Sequence, residues 1–191
     1  MRRGLLGALA GALLLTGCST GADAVDVNNG GEFRFVQGTP AGEVIAPDER
    51  AAAPEFSGTL LDGGGFDSGE LDGGVAVLNF WGSWCAPCRV ESPEFQAVYA
   101  EVRDQGVQFL GVNVKDTDQL ARAFEDSFGI QFPSLHDPRG EVALAFRDYP
   151  ANAIPSTIVL DAQGRVAAVY TGAVAQEDLR AVLDLLMAEE G

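Results

Sequence analysis

The sequence predicts an α/β domain in which a mixed central sheet is flanked by helices. Three observations predict it. Val75–Trp81 and Val107–Val114 are nearly unbroken apolar runs of strand length, as strands covered on both faces require. Phe95, Val98, Tyr99 and Val102, and again Leu179, Val182, Leu183 and Leu186, place apolar side chains along one face of a helix. The two periodicities alternate along the chain in the order β-β-β-α-β-α-(β)-α-β-β-α, which suits a sheet with helices on its faces.

The elements follow in chain order. Phe56–Leu61 reads as a strand, Gly63-Gly64-Gly65 as a turn and Phe66–Leu71 as the returning partner, giving an N-terminal β-hairpin. Val75–Trp81 is the central strand, and a helix opens at the cysteines that follow it. Asp116 and Gln119 have the spacing of a capping box. They begin a helix that uses Leu120, Phe124 and Phe128 and stops at Gly129. Phe132–Leu135 is extended, and Arg139–Phe146 forms a short helix. Ser156–Leu160 and Arg165–Tyr170 pair across a turn at Asp161–Gly164, and the last helix follows. There is no internal repeat.

The chain has 191 residues, of which 47% are hydrophobic, enough for a real core and one domain with an extra segment. Its formal charge of −16 argues against nucleic-acid binding and against adsorption to anionic lipid, since both need clustered Lys and Arg.

The extra segment is N-terminal. Arg2-Arg3 is a short positive start, and Leu5–Leu15 contains only Gly, Ala and Leu. Residues 1–17 therefore read as a secretory signal peptide, too short for a spanning helix. The run ends in Leu15-Thr16-Gly17-Cys18, which resembles the bacterial lipobox, whose cysteine carries a lipid. On that reading, residues 18–53, rich in Gly, Ala, Asp, Asn and Pro, are a lipid anchor and flexible tether with one short strand near Glu32–Gln37. The packed domain then spans 54–191. Three cysteines are an odd number for an exported chain, and a lipid on Cys18 leaves Cys85 and Cys88 as a pair.

Cys85 and Cys88 stand one helical turn apart at a helix start. The first falls near the N-cap, where unpaired N–H groups and the helix dipole stabilise an anion and lower the thiol pKa. The second is placed to attack a mixed disulfide formed by the first. Pro87 suits a first turn, where its missing N–H bonds nothing. Trp84 offers an apolar surface beside the sulfurs. Other readings of the pair are a structural disulfide, half a zinc site and a metallochaperone motif. A four-residue loop removes little chain entropy, so the bond is a poor staple. Zinc needs two more ligands, and only His136 and acidic residues remain. The second soft pair of a metallochaperone is missing. No metal or other cofactor is expected.

The segment Val77-Leu78-Asn79-Phe80-Trp81-Gly82-Ser83-Trp84-Cys85-Ala86-Pro87-Cys88-Arg89-Val90-Glu91-Ser92-Pro93 resembles the TlpA/ResA group of extracytoplasmic thiol–disulfide oxidoreductases. That group is thioredoxin-like and related to the redoxin/AhpC-TSA proteins. The resemblance runs from about Ala53 to Gly191. It implies a thioredoxin-like fold, with Asp116–Tyr149 as a central helix-containing insert and His136 in a loop. It implies that Cys85 is the exposed nucleophile, Cys88 the resolving thiol and Glu91 a carboxyl that influences their titration. Pro155 matches the cis-proline that packs opposite the disulfide, with the backbone of Ile154 facing substrate. Asn79 takes the place of a buried aspartate in thioredoxin itself, which moves proton transfer to Glu91 or water. Pro93 is expected to bend the helix that it interrupts.

The resemblance implies a monomer on the extracytoplasmic membrane face, reducing protein disulfides such as the CxxCH pair of an apocytochrome c. Electrons would come from a membrane thiol transporter. Disulfide donation to secreted proteins would use the same residues in reverse. A thiol peroxidase would need a Thr that Gly82-Ser83-Trp84 does not supply. A tethered binding module would not need two intact cysteines.

Overall fold

The computed structural model describes residue 36 and residues 38–189 apart from residue 72. Strands are β1 (Glu43–Val44), β2 (Ser57–Leu60), β3 (Gly65–Asp67), β4 (Ala76–Trp81), β5 (Gln108–Val114), β6 (Ser134–Asp137), β7 (Ser156–Leu160) and β8 (Val166–Thr171). Helices are α1 (Ala86–Val102), α2 (Asp118–Phe128), α3 (Glu141–Ala145) and α4 (Gln176–Glu189). The strands form one sheet in the order β1-β8-β7-β4-β5-β6-β2-β3. The pairs β4–β5 and β5–β6 are parallel, and the other neighbours are antiparallel. The sheet is mixed, as expected, and β2 with β3 is the predicted hairpin.

Every residue of β4 is buried, as its nearly unbroken apolar sequence demands. Its alternate side chains serve opposite faces. Ala76, Leu78 and Phe80 join a core with Leu110, Val112, Ile158 and the α3 residues Val142 and Ala143. Val75 and Val77 join Phe95, Val98 and Val102 of α1 and Leu179, Val182, Leu183 and Leu186 of α4. Both predicted helical stripes thus lie on one face of the sheet. A third, smaller cluster at the end of β4 holds Trp81, Leu61, Cys85 and Cys88 beneath Ala121 and Phe124 of α2.

Several expectations are corrected. Residues 39–53 do not form a free tether. Thr39 bridges Tyr170, and β1 pairs with β8 through Glu43–Val169 and Val44–Ala168. Arg50 is buried and bonds Ile45 O, Asp161 and Glu189. The strand is recruited by backbone pairing at a sheet edge, which leaves no apolar run to read in the sequence. The strand expected at Glu32–Gln37 lies outside the described residues, apart from Val36. The signal peptide and Cys18 lie outside them too.

The returning hairpin strand stops at Asp67, and residues 68–71 make a 3-10 turn. The cap of α2 is Thr117, whose hydroxyl accepts the Leu120 N–H at 3.3 Å, while Asp116 serves other donors. Leu120, expected in the apolar stripe, is 56% exposed, and Ala121 turns inward in its place. His136 stands in β6 rather than a loop, because the strand continues past Leu135. The short helix covers only 141–145.

Candidate active site

The chain turns sharply between β4 and α1, and this turn sets the cysteines. Cys85 N–H donates to Gly82 O at 3.0 Å, closing the loop over Ser83 and Trp84. Cys85 then takes an extended conformation as the N-cap of α1, and its Sγ accepts the Cys88 N–H at 3.2 Å. A sulfur at this place meets an otherwise unpaired helix donor and the positive end of the dipole. Pro87 falls in the first turn. Cys85 and Cys88 form a disulfide with a Cα–Cα separation of 5.3 Å.

Cys85 was expected to be exposed, yet it is 3% exposed in this oxidised state, and Cys88 is fully buried. Phe124 and Ala121 of α2, with Trp81 and Ile154, share the buried cluster that holds the pair. Motif reading misses the α2 part of this cluster, because it comes from the insert. The α2 periodicity marks Phe124 only as core. Trp84 is 55% exposed beside the pair, and its indole Nε1 donates to Val114 O at 3.2 Å. Arg89 lies over the Phe124 ring, 5.6 Å from its centroid.

Beneath α1 the structure brings Glu91 and Asn79 together. Glu91 is one turn beyond Cys88, on the same buried face of the helix. It is only 1% exposed. Asn79 Nδ2 donates to Glu91 Oε1 at 3.0 Å and lies 3.3 Å from the Thr157 hydroxyl. Val174 N–H donates to Glu91 Oε2 at 3.3 Å. Burial pushes the Glu91 carboxyl up to about 7, against the opposing pull of the Asn79 and Val174 bonds. Thr157 and Val174 belong to this site through tertiary placement alone, and no sequence signal marks them. Glu91 also floors a cleft of about 570 Å³ between α1 and α4, whose walls include Val90, Glu94, Val174 and Arg180.

The Ile154–Pro155 peptide is cis, and Ile154 packs against the cluster that contains both cysteines. The isomer is the one that the resemblance implies for Pro155. Pro93 sits inside α1, as expected, and the neighbouring Ser92 hydroxyl donates to Cys88 O at 2.7 Å. Among the described residues no group of three or more His, Cys, Asp or Glu could hold a metal ion. His136 Nε2 lies 3.2 Å from Asp116 O.

The site is thus a turn-mounted disulfide at a helix N-terminus, in one cluster with Ile154 of the cis Ile154–Pro155 peptide. The AhpC/TSA family matches residues 50–169. The chain belongs to this family. The thiol–disulfide oxidoreductase ResA of Geobacillus kaustophilus is 34% identical over 134 residues, covering 70% of this chain and 75% of the relative. A DsbF homologue from Corynebacterium diphtheriae superposes with a TM-score of 0.72 at 37% identity, covering 76% of this chain and 93% of that one. A secreted thiol–disulfide isomerase from Corynebacterium glutamicum gives 0.73 at 34% identity, with 78% and 92% covered. This AhpC/TSA protein is a thiol–disulfide oxidoreductase with a CxxC disulfide.

Proposed function

We propose that the chain is a lipid-anchored reductase of disulfides in exported proteins, working on the extracytoplasmic face of the cell membrane. The carrying observation is the Cys85–Cys88 pair at the N-terminus of α1, with Glu91 buried one turn beyond.

In the reduced enzyme, the helix N-terminus favours Cys85 as thiolate. It attacks one sulfur of the substrate disulfide, forming a mixed disulfide and releasing the other substrate sulfur as thiolate. Cys88 gives its proton to the Glu91 carboxylate and attacks Cys85 Sγ. The Cys85–substrate bond breaks as the Cys85–Cys88 bond forms. Two electrons pass to the substrate, whose two thiolates take up protons. The cysteine pair carries the electrons itself, without a cofactor, and a membrane dithiol transporter would restore it. Asn79 holds Glu91 in place, and Ile154 and Pro155 bound the docking edge for an extended substrate segment. An apocytochrome c with a CxxCH disulfide is a substrate of the right chemistry. The lipobox-like Leu15–Cys18 supports anchoring.

The enzyme in which Cys88→Ser leaves Cys85 free should trap a mixed disulfide with its substrate. Recovery of no partner, with both wild-type thiols proven reactive, counts against a protein substrate. A potential of about −300 to −250 mV fits the reductase, whereas about −120 mV reverses the direction to disulfide donation. Labelled palmitate should be lost in Cys18→Ser, and its persistence there removes the anchor.

A further inference from the structure

The loop before Cys85 is gripped from two sides, and one side is an acidic residue outside the motif. Asp116 lies between β5 and α2. Its Oδ2 accepts the Ser83 N–H at 2.6 Å and the Asn113 Nδ2 at 3.2 Å. Its Oδ1 accepts the Thr117 N–H at 2.8 Å, and its backbone O lies 3.2 Å from His136 Nε2. Burial disfavours the Asp116 carboxylate, but the bonds from Ser83, Asn113 and Thr117 outweigh it and hold the group below the usual carboxylate range. From the other side, Arg89 of α1 donates to Ser83 O at 2.9 Å. The two backbone polar groups of Ser83, in the peptide units on either side of its Cα, therefore each carry a charge-assisted bond. The turn Gly82–Cys85 closes immediately after it.

We propose that Asp116 is a positioning residue for the exchange reaction, holding the Ser83 peptide so that Cys85 sits at the N-cap of α1. This rests on the thiol–disulfide reading of the same site. Its acceptor is fixed by α2 and β6, elements of the insert, so the insert serves the redox centre directly. The Asp116 carboxylate bonds Ser83, Asn113 and Thr117 rather than a sulfur. It acts through the loop, on the alignment of Cys85 Sγ with the Cys88 N–H.

The geometry separates this role from two others. A capping role for α2 belongs to Thr117, which has its own bond to Leu120. A purely electrostatic role would disfavour the Cys85 thiolate, because Asp116 is an anion. The two effects on Cys85 have opposite signs, which makes them distinguishable.

The test is the pH dependence of Cys85 alkylation by iodoacetamide in the reduced full chain, read from the peptide that contains Cys85. With Asp116→Ala the Cys85 midpoint should rise and alkylation at pH 7 should slow roughly tenfold, the consequence of one pKa unit on the thiolate fraction. Asp116→Asn keeps an oxygen that can accept the Ser83 N–H and should return to within about twofold of wild type. Thr117→Ala loosens α2 without touching Ser83 and should leave the midpoint in place. If Asp116→Ala does not fold, Asp116→Ser, too short to reach Ser83, takes its place. A rate unchanged or faster in the Ala or Ser variant overturns the proposal, as does an Asn variant equally slow. The readout needs no partner protein. Failure of Cys88→Ser to trap a partner therefore refutes the substrate reading alone.

Discussion

Asn79 and Glu91 meet at 3.0 Å in the space between β4 and α1, an amide donating to a carboxyl that burial has made hard to ionise. The folded value near 7 lies above the ordinary 4.5, so the folded protein keeps a proton that the unfolded chain has already released. Stability contributed by this group is full below about 4.5. It declines as pH rises, and levels off above about 7, a swing of about 3 kcal/mol. Glu91→Gln should erase that part of the pH profile and be more stable than wild type at pH 8. Urea midpoints of the oxidised proteins at pH 5 and pH 8 test this, and parallel profiles for the two proteins would refute it.

Arg50 fastens the N-terminal segment to the far end of the fold. Its guanidinium is buried and reaches Asp161 at 3.3 Å, in the β7–β8 turn, and Glu189 at 2.6 Å, at the end of α4. Its Nε also satisfies Ile45 O. Arg50→Met should cost about 2–3 kcal/mol, less than the usual penalty for breaking a buried pair, because Arg165 still bonds Asp161 and Glu189 can turn to water. A fall in urea midpoint with unchanged slope is the expected result. A loss below about 0.5 kcal/mol would mean that residues 39–53 are held by backbone pairing alone.

What the sequence reveals, and what it hides, divides by range. The buried strand β4, the stripes on α1 and α4 and the order of elements are local patterns, and all are readable. The redox pair is readable too, since helix-start chemistry needs only neighbouring residues. Arg50 is not, because its partners stand 111 and 139 positions away. Asp116 and Thr117 are both good cap residues, and the local pattern does not choose between them. The Ser83 N–H chooses, by engaging Asp116 from 33 positions away. Cys85 is buried for the same kind of reason: Ala121 and Phe124 of α2 join its cluster from another part of the chain.

Thr117→Ala removes the side-chain cap of α2 while leaving its backbone donors intact. The loss should be about 1 kcal/mol, with Thr117→Asn near neutral. Thermal melts of the three proteins test the assignment. If Thr117→Ala melts with wild type, the helix start is held by the Asp116 contacts instead.

Phe124 is where stability and redox access should separate. Its ring stacks on Trp81 at a centroid distance of 4.7 Å and contacts Phe128 at 4.6 Å. It also packs in the cluster that holds Cys85 and Cys88. Phe124→Ala should cost about 3–5 kcal/mol through lost burial and an incompletely collapsed cavity. Phe124→Leu should recover most of that, since volume matters more than the ring. Access behaves differently. Removing the ring uncovers the disulfide, so dithiothreitol should reduce Phe124→Ala faster than wild type under conditions where both remain folded. Leu, still covering the sulfurs, should keep the wild-type rate. Reduction followed by Trp fluorescence in the native state distinguishes the two variants. Equal rates in all three proteins would show that the sulfurs are reached by a path that α2 does not guard.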